Sequence, residues 1–143
     1  MDGATLTDVL LVMKSRTNRR HLQGALVSVV DDDESVRDSL PDLLRELGFE
    51  ARAFASGDEF LSSDCVNGTR CLILDVAMPG MTGLDVQREL GLRGRKIPII
   101  FITALKNEAV RTKAFKQGAA GFLLKPFSDT ALSSAIEAAL QVR

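Results

Sequence analysis

The sequence predicts an α/β fold: a doubly wound, five-stranded parallel sheet with five helices on its two faces. Three observations carry that reading. Continuous apolar runs recur at 25–30, 71–74, 97–102 and 121–124, as in strands buried on both faces. Between the strands, apolar residues fall at helical spacing, so the two periods alternate as in repeated strand–helix units. Gly48, Gly94 and Gly118 each follow a helix-like stretch, where a chain leaving a helix favours a left-handed residue.

The chain has 143 residues, 45% hydrophobic and 26% charged, which is one domain's length and composition. Such a chain buries roughly 68–70% of its unfolded surface. Seven Phe with no Trp or Tyr leave the core to aliphatic side chains. Eighteen basic against nineteen acidic residues give a net charge of −1, which argues against nucleic acid or an anionic membrane as a partner of this chain. Cys65 and Cys71 lack zinc-like spacing and read as free thiols, as expected in the cytoplasm. The single His21 stands outside the periodic region. Val9-Leu10-Leu11-Val12-Met13 is too short to span a bilayer, and its basic cluster follows rather than precedes it, so a signal peptide is rejected.

Residues 1–24 carry Lys14, Arg16, Arg19 and Arg20 against Asp2 and Asp8 without a sustained apolar period. They read as a flexible or partly helical extension, with a docking segment at 6–13 as the alternative, and the domain occupies 25–143. Strand one, Ala25-Leu26-Val27-Ser28-Val29-Val30, runs into Asp31-Asp32-Asp33-Glu34. Val36, Leu40, Leu43, Leu44 and Leu47 lay out the first helix; Pro41 inside it removes one backbone bond and is expected to kink it. Residues 49–55 alternate as a half-exposed strand. Ser56-Gly57-Asp58-Glu59 reads as a capping box, with Glu59 reaching back to Ser56. The third strand stops at Asp75 and is followed by the turn Met78-Pro79-Gly80. A helix over 84–92, a strand over 97–102 ending in Thr103, and a helix over 107–117 come next. The last strand ends in Lys125-Pro126, and Ser128 caps a helix with Leu132, Ile136 and Leu140 on its apolar face.

In such a sheet, ligands sit beyond the carboxyl ends of the strands. The residues placed there are Asp31 and Asp32, Asp75, Thr103 and Lys125. Two carboxylates about 4 Å apart repel by roughly 4 kcal/mol at an effective dielectric of about 20, so three together recruit a cation or raise one another's pKa. An all-oxygen donor set without His or Cys suits a hard ion, Mg²⁺ (or Mn²⁺). With an ammonium and a hydroxyl added, the set forms a site for a phosphoryl-sized anion. Asp75, alone at its strand end, is the carboxylate best placed to attack phosphorus.

Val29-Val30-Asp31-Asp32-Asp33-Glu34-Ser35-Val36-Arg37, Ile73-Leu74-Asp75-Val76-Ala77-Met78-Pro79-Gly80-Met81-Thr82-Gly83, Ile102-Thr103-Ala104 and Lys125-Pro126-Phe127 together resemble the response-regulator receiver domain of bacterial two-component signalling, over about residues 25–141. The resemblance implies a flavodoxin-like strand order, 2-1-3-4-5. It implies that Asp75 accepts a phosphoryl group from a sensor histidine kinase. Asp32, Asp75 and the backbone carbonyl of Ala77 would ligate Mg²⁺, with Asp31 supporting mainly from behind. Thr103 and Lys125 would contact phosphoryl oxygens, across a cis Lys125–Pro126 peptide. Phe122 matches the family's switch aromatic, which moves inward as Thr103 turns toward the phosphate, and the small Ala104 leaves access to the site. The output face would be 107–141, acting on an effector or a phosphorylation-dependent dimer partner. Two departures stand out. Receivers usually carry a larger side chain than Ala77, where it tunes phosphoryl lifetime, and Pro41 lies in the helix that usually meets the kinase. The chain stops just after the last helix, as expected of either a stand-alone receiver or one joined to a DNA-binding effector.

Two other readings compete. Val29-Val30-Asp31-Asp32-Asp33 also resembles the first motif of haloacid-dehalogenase-type phosphohydrolases, in which Asp31 would be the nucleophile; no acidic pair follows Lys125, and Asp75 would go unexplained. A pseudo-receiver that takes no phosphate is the third reading, and the complete acidic set with Lys125 opposes it. Taken singly, Asp33 and Glu34 are ordinary helix N-terminal acids, and Phe122 is an ordinary core ring.

Overall fold

Uninterrupted aliphatic runs form the strands, and amphipathic stretches cover them. The structure, a computed structural model, describes residues 24–141. In order they form β1 (Leu26–Val30), α1 (Glu34–Glu46), β2 (Glu50–Phe54), α2 (Gly57–Leu61), α3 (Cys65–Gly68), β3 (Thr69–Asp75), α4 (Gly83–Leu92), β4 (Ile99–Thr103), α5 (Glu108–Lys116), β5 (Gly121–Leu124) and α6 (Asp129–Gln141). The extension at 1–24, with His21 and the 6–13 segment, lies outside the described residues except for Gly24.

All strand pairs are parallel, in the order β2-β1-β3-β4-β5. This is the expected doubly wound topology. Alternate side chains of each strand point to opposite faces, and two cores result. Val27, Val29, Ile73, Ile100 and Ile102 pack with Leu40 and Leu44 of α1 and Leu132 and Ile136 of α6. Val30, Leu72, Leu74 and Phe101 pack with Phe60 of α2, Val86 and Leu90 of α4 and Ala114 of α5. The buried Cys71 thiol, pushed up to about 12 by desolvation, is a packing group. No helix among the described residues is long and apolar enough to cross a membrane.

The structure differs from expectation in three places. There are six helices rather than five, because Cys65–Gly68 forms one additional turn too short to show a period. Ser56 caps α2 by accepting from the Glu59 N–H at 3.1 Å, but the Glu59 carboxylate accepts from the Ala55 N–H, one residue earlier than a capping box requires. A second box, not read from the sequence, caps α4: Thr82 and Asp85 each accept the other's backbone N–H. As expected of a helix in which a proline removes a single intrahelical bond, α1 runs through the buried Pro41 to Glu46.

Candidate functional site

Parallel pairing puts every strand's carboxyl end at one rim. Val30 lies beside Leu74, Asp75 beside Ile102, and Thr103 beside Leu124, so the residues that interrupt the apolar runs become neighbours. Asp31 follows β1, Asp75 ends β3, Thr103 ends β4 and Lys125 follows β5. The Lys125 N–H donates to the Thr103 carbonyl at 2.8 Å, and the Val76 N–H to the Ile102 carbonyl at 3.1 Å, which tie these ends together.

Asp31 is fully buried. Its Oδ2 accepts from Lys125 Nζ at 2.8 Å and its Oδ1 from the Asp33 N–H at 2.9 Å. Lys125 Nζ also stands 3.9 Å from Asp75 Oδ1, so one ammonium lies between two carboxylates and is hydrogen-bonded to the first. Asp32 is exposed, and an oxygen from each of Asp31, Asp32 and Asp75 falls within 4.8 Å of the others. Burial first, then the Asp31 charge and a hydrogen bond with Asp32, push the Asp75 carboxyl up from 3.8 to about 7; Lys125 and the Ala77 N–H pull the other way. Desolvated, crowded carboxylates without a His or Cys among them fit a hard divalent cation, which would offset the repulsion that raises Asp75.

Thr103 is buried and its hydroxyl accepts from the Leu105 N–H at 3.2 Å. Ala104 and Ala77 are exposed beside the rim. The Lys125–Pro126 peptide is cis, as the resemblance implied. Phe122 is half-buried on β5, its ring centroid 6.2 Å from that of Phe101 and 6.5 Å from that of Phe115. Phe115 in turn lies under Arg111, and Leu105, Phe115 and Leu124 form exposed apolar positions around this region.

Two supporting residues escaped the sequence reading. Arg37 Nη1 of α1 donates to the Asp31 carbonyl at 3.0 Å and clamps the β1–α1 turn. Gly83 packs under β3: a Cβ there would stand 2.4 Å from the Asp75 carbonyl oxygen and 2.9 Å from Val76 Cα. Asp33, expected as an ordinary helix acid, caps α1 through the Ser35 N–H, and its hydrogen bonds to Ser35 lower its pKa.

Comparison with known proteins agrees with this geometry. Residues 27–137 match the family described as the response regulator receiver domain. The chain is 41% identical over 129 residues to response regulator protein TodT of Pseudomonas putida, covering 89% of this chain and 57% of that protein. It is 47% identical over 117 residues to nodulation protein W of Bradyrhizobium diazoefficiens, covering 82% and 52%. Among solved structures, response regulator StyR superposes with a TM-score of 0.76 at 46% identity, covering 81% of this chain and 59% of that one. FixJ-N superposes with a TM-score of 0.76 at 36% identity, covering 85% and 97%. The chain spans about half the length of the curated relatives it matches. With one sheet order, one carboxylate rim and one family pattern over 27–137 in agreement, the chain belongs to the response regulator receiver domains of two-component signalling.

Proposed function

We propose that this receiver takes a phosphoryl group from a sensor histidine kinase onto Asp75 and passes the signal through its 107–141 face. The observation that carries the reading is the meeting of Asp31, Asp32, Asp75 and Lys125, drawn from three strand ends, within one small rim.

Asp31, Asp32 and Asp75, with the Ala77 carbonyl, would hold Mg²⁺ or Mn²⁺. A divalent ion, when bound, neutralises phosphoryl oxygens and lowers the Asp75 pKa. The chain's own residues do the rest. An Asp75 oxygen attacks phosphorus, an O–P bond forms as the donor's N–P bond breaks, and the freed imidazole keeps the electron pair and takes a proton from solvent. Lys125 places positive charge beside Asp75, and the Thr103 hydroxyl meets the new phosphoryl oxygens by exchanging its bond from the Leu105 N–H. Water then attacks the acyl phosphate, returning the Asp75 carboxylate and inorganic phosphate. The domain is a signalling module rather than a classical enzyme. A switching role for Phe122 is supported by its place between Phe101 and the exposed Phe115, where a small inward move of the ring alters the surface around Leu105 and Leu124. The small exposed Ala104 leaves the way to Thr103 open, and Pro126, cis, ends the Lys125 loop.

Asp75 is favoured over Asp31 as the acceptor because both Asp31 oxygens are already held, by Lys125 and the Asp33 N–H. We read the domain as 25–143, acting in the cytoplasm, without direct contact with nucleic acid or membrane.

Incubating the chain with acetyl phosphate and Mg²⁺, then measuring intact mass, tests the reading. A single phosphoryl adduct that EDTA prevents and Asp75→Ala removes is expected. An adduct that persists in Asp75→Ala, or none in the parent chain, contradicts it.

A further inference from the structure

A groove of about 590 Å³ opens at the pole opposite Asp75, where β4 and β5 begin and α4 and α5 end. Sites for small molecules usually measure about 300–1,000 Å³ and are mostly apolar, with a few polar groups that orient the ligand. Leu90, Ile97, Pro98 and Ala119 give this groove apolar walls. Gln87, 6% exposed, also lines it: Nε2 donates to the Ala114 carbonyl of α5 at 3.1 Å, while the buried Oε1 has no partner. A buried acceptor without a donor marks a place where a further group is wanted. None of these residues takes part in the Asp75 site.

The charge around the groove is of one sign. Arg95 and Lys96 line it, and among the described residues no Asp or Glu does. Lys96 is exposed and has no carboxylate partner among the described residues. The Arg95 guanidinium donates to the Asn67 side chain, a neutral group, so its charge is also unbalanced. Two unbalanced cations beside an apolar hollow favour an anion with an apolar body. Two other grooves lack this combination. The one between α1 and α6, about 410 Å³, carries Asp42, Glu46 and Asp129, which repel an anion. The one beside Phe122 and Leu124 is only about 220 Å³ and carries Glu108.

We propose that this groove binds a small organic carboxylate with an apolar body and an N–H or O–H donor. The body lies against Leu90, Ile97, Pro98 and Ala119, and the carboxylate faces Lys96 and Arg95. The donor goes to Gln87 Oε1, while Nε2 keeps the Ala114 carbonyl. Gln87 thereby sets specificity, because an apolar anion without a donor leaves Oε1 unpaired.

The test titrates the ¹⁵N-labelled full chain with N-acetyl-phenylalanine, which carries a carboxylate, an amide N–H and an apolar ring. Saturable shifts of the Gly91, Ile97, Gly118 and Ala120 amide signals are expected. Affinity should fall about tenfold in Lys96→Glu and with the uncharged methyl ester of the probe. O-acetyl-phenyllactate, an ester isostere that lacks only the N–H, should bind about fivefold more weakly to the parent chain. In Gln87→Met the two probes should bind alike. The proposal is overturned if no saturable shift appears, or if the shifts fall at residues 36–46 or 105–115 instead. It is equally overturned if Lys96→Glu binds as the parent does, if the two probes bind the parent alike, or if their difference persists in Gln87→Met. Phosphorylation at Asp75 plays no part in this readout, so either reading can fail without the other.

Discussion

Asp31, with no exposed surface, has its Oδ2 on Lys125 Nζ at 2.8 Å, and Lys125 is itself only 21% exposed. Removing the lysine strands a buried charge, so Lys125→Ala is expected to cost about 3 kcal/mol in urea unfolding at pH 7. With Asp31→Asn added, the combined loss should be smaller than the sum of the two single losses, because the two residues share one interaction. Asp75 behaves oppositely. Its carboxyl is raised from 3.8 to about 7, so between about pH 4 and pH 7 the folded chain keeps a proton that the unfolded chain has released. Stability without divalent ions should therefore fall as pH rises across that window. Thermal melts in EDTA check this: the melting temperature should drop from pH 5 to pH 8, Mg²⁺ should restore it at pH 8, and Asp75→Asn should flatten the slope. A melting temperature that rises toward pH 8 in EDTA would remove the basis for a crowded, desolvated carboxylate. Asp31, Asp75, Thr103 and Lys125 were legible in the sequence because each is a polar stop on an apolar run. Arg37 was not, since an arginine on the first turns of a helix is usually solvated, and only the fold brings it back onto the Asp31 carbonyl.

At the scale of elements, the strand–helix alternation was readable because the buried strands are dominated by aliphatic residues, with Ser28 the one polar residue inside β1, and helices carry the longer period. Segment 62–70 was not readable, as a four-residue turn is shorter than either period needs. The Glu59 misreading has a local cause: its side chain finds the Ala55 N–H before that of Ser56. The Thr82 box was present in the sequence as Thr-x-x-Asp, with aspartate where glutamate or glutamine is more usual. Gly83, at the first position of α4, is where this element meets the site. A Cβ at that position would press on the Asp75 carbonyl and on Val76, both backbone, and neither can swing aside. Gly83→Ala should lose about 1–3 kcal/mol of stability, and because the shifted atoms carry Asp75, Mg²⁺ titration should show weaker binding. Unchanged Mg²⁺ affinity in a folded Gly83→Ala chain would place the strain elsewhere.

At the scale of the molecule, the exposed Leu105 and Leu124 stand at the carboxyl ends of β4 and β5, where Thr103 and Lys125 join the rim, and the exposed Phe115 lies against Phe122. A phosphoryl group adds about −1.5 to −2 charges and three acceptor oxygens at that rim, enough to draw the Thr103 hydroxyl and loosen the loop bearing Leu105. Sedimentation with beryllofluoride and Mg²⁺ is expected to shift the chain from monomer toward dimer, and Leu124→Asp should hold it monomeric; the same distribution with and without the mimic would assign the output to another surface. The strand order and the site residues were visible in the motif pattern, whereas the partners of each side chain required the fold, since they join strands far apart in sequence. The most direct test of the central claim is to phosphorylate the chain, reduce the acyl phosphate with borohydride, and locate the resulting homoserine by peptide mass spectrometry. Homoserine at position 75 alone is expected, and homoserine at position 31 or 32 would contradict the account.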